Sequence, residues 1–176
     1  VTASGKVSRI PSVVPEKFYK RSTLRVAHDL LGKILVVSSS RLASGGLAAA
    51  RIVETEAYCG DDPASHASRG KTPRNSVMFG KPGVTYVYFI YGMYEMLNFV
   101  TEASGVPGAV LIRSAEPLAG EEIMKRRRKV EARNKLTNGP GKLCKAMGIN
   151  MGHNKKSLLG PEVMVCDDGF KQLFGF

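Results

Sequence analysis

The residues from Ala50 to Tyr58 read Ala-Arg-Ile-Val-Glu-Thr-Glu-Ala-Tyr, and polar and apolar side chains alternate along much of this segment. Such alternation is typical of a β-strand with one polar face, because successive side chains of a strand point to opposite sides. The pattern predicts that Glu54, Glu56 and Tyr58 share one face. The opposite face is predicted to carry Val53, Thr55 and Ala57. Two carboxylates and a phenol are therefore expected side by side on one strand.

Further strands and helices are predicted on both sides of this segment. Strands are predicted over residues 33–38, 84–91, 97–101 and 109–115, and helices over 22–31, 120–133 and a segment after the Thr-Asn-Gly-Pro-Gly turn at 137–141. The strand-rich part precedes the helix-rich part instead of alternating with it, which favours an α+β fold. A length of 176 residues is that of one domain. We expect a flexible N-terminal tail over residues 1–15 and a single mixed domain over residues 16–176.

The segment from Cys59 to Pro82 is rich in Gly, Pro, Asp and Ser and shows no periodicity, which predicts a long loop. Long loops of compact domains are usually functional or disordered. His66 lies within this loop, and its imidazole is interpreted as a hydrogen-bonding group. Cys59, Asp61, Asp62 and His66 match no recurring spacing of metal ligands, so no metal site is predicted.

The charge of the chain favours a polyanionic partner. Lys and Arg total 26 against 15 Asp and Glu, a formal net charge of +11, and nucleic acid is the first expectation for such an excess. Seven of the basic residues lie between Lys125 and Lys135, together with a single acid, Glu131. Two interpretations of this basic run stay open: a solvated helix face or localisation tag, and direct contact with phosphates.

Other classes of protein are disfavoured by the composition. The three scattered cysteines indicate neither a disulfide framework nor a zinc ribbon and fit a reducing compartment. The most apolar stretch, residues 83–100, contains several tyrosines, Glu95 and Asn98 and is too polar for a membrane span. The first residues carry no apolar signal segment. We therefore expect a protein that is not secreted and works in the nucleus of a eukaryote or in the cytoplasm, at the nucleoid, of a bacterium.

Five of the six tyrosines lie close in sequence to the paired glutamates. They are Tyr58, Tyr86, Tyr88, Tyr91 and Tyr94. A carboxylate among aromatic rings suits hydrolysis of a flipped purine, because the carboxylate can deprotonate a water while the rings hold the base. A tyrosine-rich core and a solvent-facing polar strand edge are the competing interpretations.

Five motifs then follow one another in order between Phe18 and Asn150. They are Arg51-Ile-Val-Glu-Thr-Glu-Ala-Tyr58, Thr72-Pro-Arg-Asn75, Tyr86-Val-Tyr-Phe-Ile-Tyr-Gly-Met-Tyr94 with Asn98, Val110-Leu-Ile-Arg-Ser-Ala-Glu-Pro117 and Asn138-Gly-Pro-Gly-Lys142. Together they resemble the alkyladenine (3-methyladenine) DNA glycosylase family. The resemblance implies a single domain with a curved antiparallel β-sheet, a protruding β-hairpin and flanking helices, without metal or other cofactor.

The resemblance also implies an activity. Members of the family are N-glycosylase hydrolases of base excision repair that bind double-stranded DNA, flip a damaged purine out of it and excise that base. Alkylated purines are the expected substrates, with deaminated purines such as hypoxanthine as further candidates. No catalytic lysine is implied, so a monofunctional enzyme without strand-nicking activity is expected, and a monomer.

Residue roles follow from the positions that match the motifs. Glu56 matches the general base that deprotonates the attacking water, and Arg113 matches the arginine that helps to hold this water. Tyr58, His66 and Tyr88 match the residues that sandwich and hydrogen-bond the flipped base.

The remaining matched positions concern base selection and DNA contact. Asn98 matches the asparagine that helps to exclude guanine through its amino group. Tyr91 matches the residue that is inserted into the minor groove. Arg74, Met93 and Lys142 are expected to contact the DNA backbone.

The resemblance finally implies a C-terminal strand that closes the pocket and contacts the attacking water. The Arg-Val-Gly or Arg-Ile-Gly signature of this strand does not occur in the sequence, whose last residues read Gly169-Phe-Lys-Gln-Leu-Phe-Gly-Phe176. The domain is therefore expected to be shortened or divergent after about residue 152. Two hypotheses follow. The first is an active glycosylase, and the second is a catalytically impaired homologue that binds nucleic acid.

Overall fold

Seven β-strands dominate the computed structural model, which describes residues 11–39 and 46–170. They are β1 (Ser12–Val13), β2 (Ile34–Ser39), β3 (Gly46–Cys59), β4 (Thr85–Ile90), β5 (Tyr94–Val100), β6 (Gly108–Ala119) and β7 (Val163–Asp167). The first ten residues of the predicted tail, most of the turn before Leu47 and the last six residues of the chain lie outside the described residues. All strands predicted from the sequence are present, and most extend further than predicted.

In the described part of the chain, four α-helices and three short 3-10 helices accompany the strands. They are α1 (Glu16–Tyr19), α2 (Thr23–Leu30), α3 (Glu121–Arg128) and α4 (Pro140–Met147), with 3-10 turns at Ser76–Phe79, Arg133–Lys135 and Met151–His153. The helix predicted over residues 120–133 ends at Arg128, because Lys129 adopts a left-handed backbone conformation with φ 55°. Gly32, with φ 84°, follows the end of α2 as predicted.

The strands form one antiparallel sheet in the order β1-β7-β2-β3-β6-β5-β4. The two longest strands, β3 and β6, pair with each other at the centre of the sheet. β4 and β5 form a hairpin at one edge. The predicted α+β class with a single mixed antiparallel domain is confirmed.

One face of the sheet packs against the helices and forms the main hydrophobic core. Fully buried side chains of the sheet meet those of α2 and α4, among them Val26, Leu30, Ala50, Ile52, Val110, Ile112, Leu143 and Ala146. Removal of this apolar surface from water is the dominant stabilising contribution to such a fold. The other face of the β3, β6, β5 and β4 strands is therefore available for the polar and aromatic side chains of the candidate site.

The two ends of the described chain differ from the expectations. β7 lies in the segment where no element was predicted; it pairs with β2, and Val163 and Val165 are buried. The run of β-branched residues in this segment is short and follows glycine and proline, so its periodicity predicts no strand. At the other end, β1 pairs with β7 and the Val14 N–H donates to the Val165 carbonyl at 2.9 Å. Ser12–Val14 therefore belong to the folded sheet and not to a flexible tail.

Candidate active site

A row of directly paired residues crosses the four strands that carry the candidate site. Glu56 of β3 pairs with Leu111 of β6, Leu111 pairs with Asn98 of β5, and Asn98 pairs with Tyr86 of β4. Side chains of directly opposed residues lie on the same face of a sheet. The row therefore brings a carboxylate, an amide and a phenol from distant parts of the sequence to one face.

Two β-bulges turn the acidic side chains to this face. The pairing of β3 with β6 contains three register shifts; Leu118 is the unpaired residue at the first, and Val53 and Arg113 are those at the two shifts beside the glutamates. Ile52 is buried in the core, and three positions later the Thr55 hydroxyl donates to a backbone carbonyl of α2 at 2.9 Å. In an uninterrupted strand Glu54 would lie on the same face as Ile52. The bulge reverses the alternation, so that the glutamates leave the core face.

Glu56 is held by hydrogen bonds at both carboxylate oxygens. The Tyr58 hydroxyl donates to Oε1 at 2.8 Å, and Nη1 of Arg113 donates to Oε2 at 2.5 Å. Burial and the bond to the neighbouring carboxylate raise the pKa of Tyr58, and the bonds to Glu56 and Glu54 raise the pKa of Arg113. The phenol therefore stays protonated and the guanidinium stays charged, and both act as donors to a fixed carboxylate.

Next to Glu56 lies a pocket with a volume of about 190 Å³. Its lining is mainly aromatic and apolar and consists of Tyr58, Ala64, His66, Met78, Tyr86, Tyr88, Ile90, Asn98 and Ala109. The ring centroids of His66 and Tyr88 are 4.6 Å apart, and those of Tyr86 and Tyr88 are 5.2 Å apart. All four predicted base-binding residues line this cavity. Tyr86 was missed as a pocket residue, although its position two residues before Tyr88 places both on one strand face.

The titratable groups of the pocket are uncharged at neutral pH. Burial and the nearby Arg74 guanidinium lower the pKa of His66, and burial raises the pKa of Tyr86 to about 12. Burial also raises the pKa of Tyr88. Nδ1 of His66 and the Tyr86 hydroxyl oxygen lie 3.0 Å apart and share a hydrogen bond. The pocket thus offers aromatic faces and neutral hydrogen-bonding groups.

Asn98 is the amide at the floor of the pocket. Its side chain is almost completely buried, with a residue exposure of 2%. Its Nδ2 donates to the backbone carbonyls of Tyr86 at 3.2 Å and Met96 at 3.4 Å. These bonds fix the plane of the amide, so that a group entering the pocket meets a side chain of defined orientation.

The β4–β5 hairpin presents two large apolar side chains at its tip. Tyr91 is 83% exposed and Met93 is 61% exposed. Tyr91 and Gly92 have φ angles of 53° and 67°, and the Met93 N–H donates to the Ile90 carbonyl at 3.2 Å. Positive φ at both central residues is the geometry of a tight hairpin turn. The turn directs an aromatic side chain into solvent, where it has no stabilising packing.

Arg74 lies between the pocket and the hairpin. Its Nη2 donates to the Phe89 carbonyl at 3.3 Å, and its guanidinium carbon is 5.6 Å from the centroid of the Tyr88 ring. This position at the pocket rim explains the influence of Arg74 on the pKa of His66. Its expected contact with the DNA backbone stays a prediction.

Lys142 lies in the first turn of α4 and is exposed, with its Nζ donating to Asn138 Oδ1 at 3.1 Å. The first turn of α4 contacts the hairpin. A β-carbon added to Gly141 would lie only 2.9 Å from Cδ1 of Tyr94. Glycine at this position allows the backbone of α4 to approach the aromatic ring. Lys142 therefore directly follows the residue that contacts the hairpin, and its expected contact with the DNA backbone stays a prediction.

The basic run between Lys125 and Lys135 has a partly structural role. Arg127 donates to the Ala146 carbonyl at 3.0 Å, near the C-terminus of α4, and Arg128 donates to the Leu136 carbonyl at 3.0 Å. Lys125 forms ion pairs with nearby glutamates, the closest at 3.1 Å. Cationic groups at helix C-termini compensate the unpaired carbonyls there. Several of the seven charges therefore stabilise the fold, and Arg126 is among those exposed to solvent.

Cys59, Asp61, Asp62 and His66 lie close together in the sequence, in a spacing that predicts no metal site. Among residues 11–39 and 46–170, no group of three or more His, Cys, Asp or Glu side chains is placed to hold a metal ion. Within the same described ranges, every helix is too short or too polar to cross a membrane.

Comparisons with known proteins cover most of the chain. A sequence model of the methylpurine-DNA glycosylase family matches residues 17–172. A "Putative 3-methyladenine DNA glycosylase" of Methanocella arvoryzae is 53% identical over 159 residues, which are 89% of this chain and 78% of the relative. A protein with the same description from Chlorobium phaeobacteroides is 50% identical, over 85% of this chain and 76% of the relative. Another from Myxococcus xanthus is 48% identical, over 84% of this chain and 70% of the relative. These matches confirm the resemblance seen in the five motifs, and the chain belongs to the methylpurine-DNA glycosylase family.

Proposed function

We propose that the protein is a monofunctional DNA glycosylase that hydrolyses the N-glycosidic bond of a damaged purine flipped out of double-stranded DNA. One observation carries the proposal: the Glu56 carboxylate, fixed by Tyr58 and Arg113, lies beside an aromatic pocket whose titratable groups are uncharged. This is the combination that base removal requires, because a base must activate water while the purine is held by its faces.

In the proposed reaction, Glu56 accepts a proton from a water molecule as the water oxygen bonds to the anomeric carbon of the deoxyribose. The bond from this carbon to the purine nitrogen breaks, and its electron pair stays on the base. A purine alkylated on a ring nitrogen is cationic and leaves as a neutral molecule. Such a base needs little help from an acid, so a general base and a positioned water supply most of the catalysis.

Selection of damaged purines would depend on the pocket. The rings of Tyr58, His66 and Tyr88 offer electron-rich faces that attract an electron-poor or cationic purine. The fixed amide of Asn98 on the pocket floor would oppose the exocyclic amino group of guanine. Alkylated purines are therefore the proposed substrates, and deaminated purines such as hypoxanthine, which lack an amino group, are the second class.

Extrusion of the base would be assisted by the hairpin. Flipping a nucleotide costs a few kcal/mol of unstacking, and the cost is smaller for damaged or mispaired bases. Tyr91 is exposed at a tight turn and could enter the space that the base leaves. Basic side chains such as Lys142 would contact the phosphates.

A single-turnover base-release assay tests the proposal. The substrates are duplexes with one ethenoadenine or one hypoxanthine, each compared with an undamaged duplex. We expect release by the wild-type protein from at least one lesion and a loss of roughly 100-fold or more in Glu56→Gln, the usual contribution of a general base. Release that is unaffected by Glu56→Gln would overturn the mechanism. Lesion binding without any release would instead favour a catalytically impaired nucleic-acid-binding homologue.

A further inference from the structure

The Arg113 guanidinium contacts two carboxylates, of which the mechanism above uses only one. Nη1 donates to Glu56 at 2.5 Å, and Nε donates to Oε1 of Glu54 at 3.1 Å. Among the residues that the structure describes, Nη2 makes no direct hydrogen bond to the protein. Of the three donor nitrogens of this side chain, one therefore binds Glu56, one binds Glu54, and the third is left for another acceptor.

The register of the sheet explains why one arginine reaches both glutamates. Glu54 pairs with Ser114 and Thr55 pairs with Ile112, so Arg113 lies between the two pairs without a partner of its own. Its side chain emerges on the face of Glu54 and Glu56 and lies between them. Bulges commonly redirect side chains next to active sites.

A single hydrogen bond would leave the guanidinium plane undefined. Arginine has many rotamers, and the Arg113 side chain is partly exposed, so water competes with each of its bonds. Two bonds from different nitrogen atoms to carboxylates on two residues fix the plane, because the guanidinium is rigid and planar. The direction in which Nη2 points is then determined as well.

We propose that Glu54 is a positioning residue that orients Arg113 so that Nη1 binds Glu56 while Nη2 faces the attacking water. This inference rests on the function proposed above. Glu54 does not touch the substrate and acts only through Arg113. Its ion pair is half exposed and contributes little to stability by itself, so its effect is expected in the rate of base release.

Kinetics of matched variants test the first consequence. Glu54→Ala is expected to slow single-turnover base release at saturating DNA by roughly 10- to 100-fold. This is the loss typical of removing a group that only orients a functional side chain, as measured for the partners of metal ligands. The DNA concentration that gives half the maximal rate stays unchanged. Glu54→Gln, which keeps an acceptor oxygen for Nε, is expected to be intermediate. Glu116→Ala is the matched control, because Glu116 is a similarly exposed carboxylate of β6 that forms an ion pair at 3.8 Å with Arg133, a residue outside the sheet.

A double-mutant cycle tests whether Glu54 acts through Arg113. If it does, Glu54→Ala has no further effect on the rate in an Arg113→Ala protein, since the interaction has already been lost. An additional rate loss in that background, or a wild-type rate in Glu54→Ala alone, would overturn the inference.

A measurement independent of activity separates this inference from the proposed function. The Arg113 Nε–H group is expected to give a slowly exchanging signal in the NMR spectrum of the wild-type protein and of Glu116→Ala, and a rapidly exchanging one in Glu54→Ala. If the wild-type protein releases no base, the proposed function fails and this signal alone decides the positioning role. An equally protected signal in Glu54→Ala would contradict that role.

Discussion

Val53 and Arg113 are the unpaired residues of two bulges that face each other across the longest strand pair of the sheet. Ile52 pairs with Ala115 before them and Thr55 with Ile112 after them, so the two insertions compensate and the register continues. Each bulge reverses the alternation of its strand. The even-numbered positions of β3 therefore place Ile52 on the core face before the bulge and Glu54 and Glu56 on the opposite face after it.

Removal of the Tyr58 hydroxyl is expected to impair base release without impairing folding. Tyr58→Phe keeps the ring in the pocket but removes the donor to Glu56 Oε1, so the carboxylate loses one of its two fixed contacts. The release rate should fall by about tenfold, which corresponds to one ordinary hydrogen bond of about 1.4 kcal/mol. Single-turnover kinetics give the rate, and thermal unfolding checks the fold. A Tyr58→Phe protein as fast as the wild type would show that Arg113 alone fixes Glu56.

Tyr91→Ala is expected to weaken binding to lesion-containing duplex more than binding to undamaged duplex. The side chain is 83% exposed, so the free energy of unfolding should change by less than about 0.5 kcal/mol. Equilibrium binding to both duplexes measures the difference. Leu24→Ala, at an exposed apolar position of α2, is the control and should leave both affinities unchanged. Equal losses on the two duplexes would refute insertion into the DNA stack.

Replacement of Arg74 by glutamine is expected to raise the pKa of His66. Burial and the positive charge of Arg74 both lower this pKa in the folded protein, and the substitution removes the second cause. The value should rise but stay below the ordinary value of about 6.5, because the burial remains. NMR titration of the imidazole signals measures the shift. Lys71→Gln, at an exposed position of the same loop, is the control, and an equal shift in that variant would assign the effect to net charge alone.

Asp168 is expected to make the stability of the fold sensitive to acid. Arg51 donates to both of its oxygens, at 2.7 and 3.2 Å, and these bonds hold the pKa of Asp168 below its ordinary value. The stabilisation is therefore complete above the unfolded-state pKa of about 3.9 and is lost as the pH falls through the lower folded-state pKa.

Asp168→Asn should accordingly reduce the free energy of unfolding at pH 7 by about 1–3 kcal/mol, because the partly buried Arg51 loses its charged partner. The difference from the wild type should shrink below pH 4. Urea unfolding across this pH range measures both effects, with Asp61→Asn as an exposed control. A difference that is independent of pH would exclude titration of Asp168 as the cause.

Two neighbouring arginines of the basic run are expected to behave differently. Arg127→Gln removes a half-buried donor to the Ala146 carbonyl and should reduce the free energy of unfolding by about 1–2 kcal/mol. Arg126→Gln, at an exposed position, should change it by less than about 0.5 kcal/mol. Chemical denaturation compares the two. Equal effects would mean that the run acts on stability only through its total charge.

Much of the fold and most of the candidate site follow from local patterns in the sequence. The alternation through Glu54, Glu56 and Tyr58 determines that these side chains share a face, because a strand has a period of two. The five motifs assign Arg113, Tyr88 and Asn98 to the same site, and the resemblance to the family adds His66 to it and assigns Tyr91 to the DNA contact. Each of these inferences depends on residues that are close in the chain or on a motif that is specific by itself.

Other features depend on pairing between distant segments and were decided only by the tertiary structure. Nothing in the residues around Val53 indicates a bulge, because a bulge is defined by the partner strand. The sequence alone therefore does not show which face is buried, or that Arg113 lies between two glutamates. The same applies to β7, a short strand that is stable only because β1 and β2 satisfy its backbone groups. The sequence by itself determined which side chains form the candidate site, because motifs and strand alternation are local, whereas long-range strand pairing decided which of them touch.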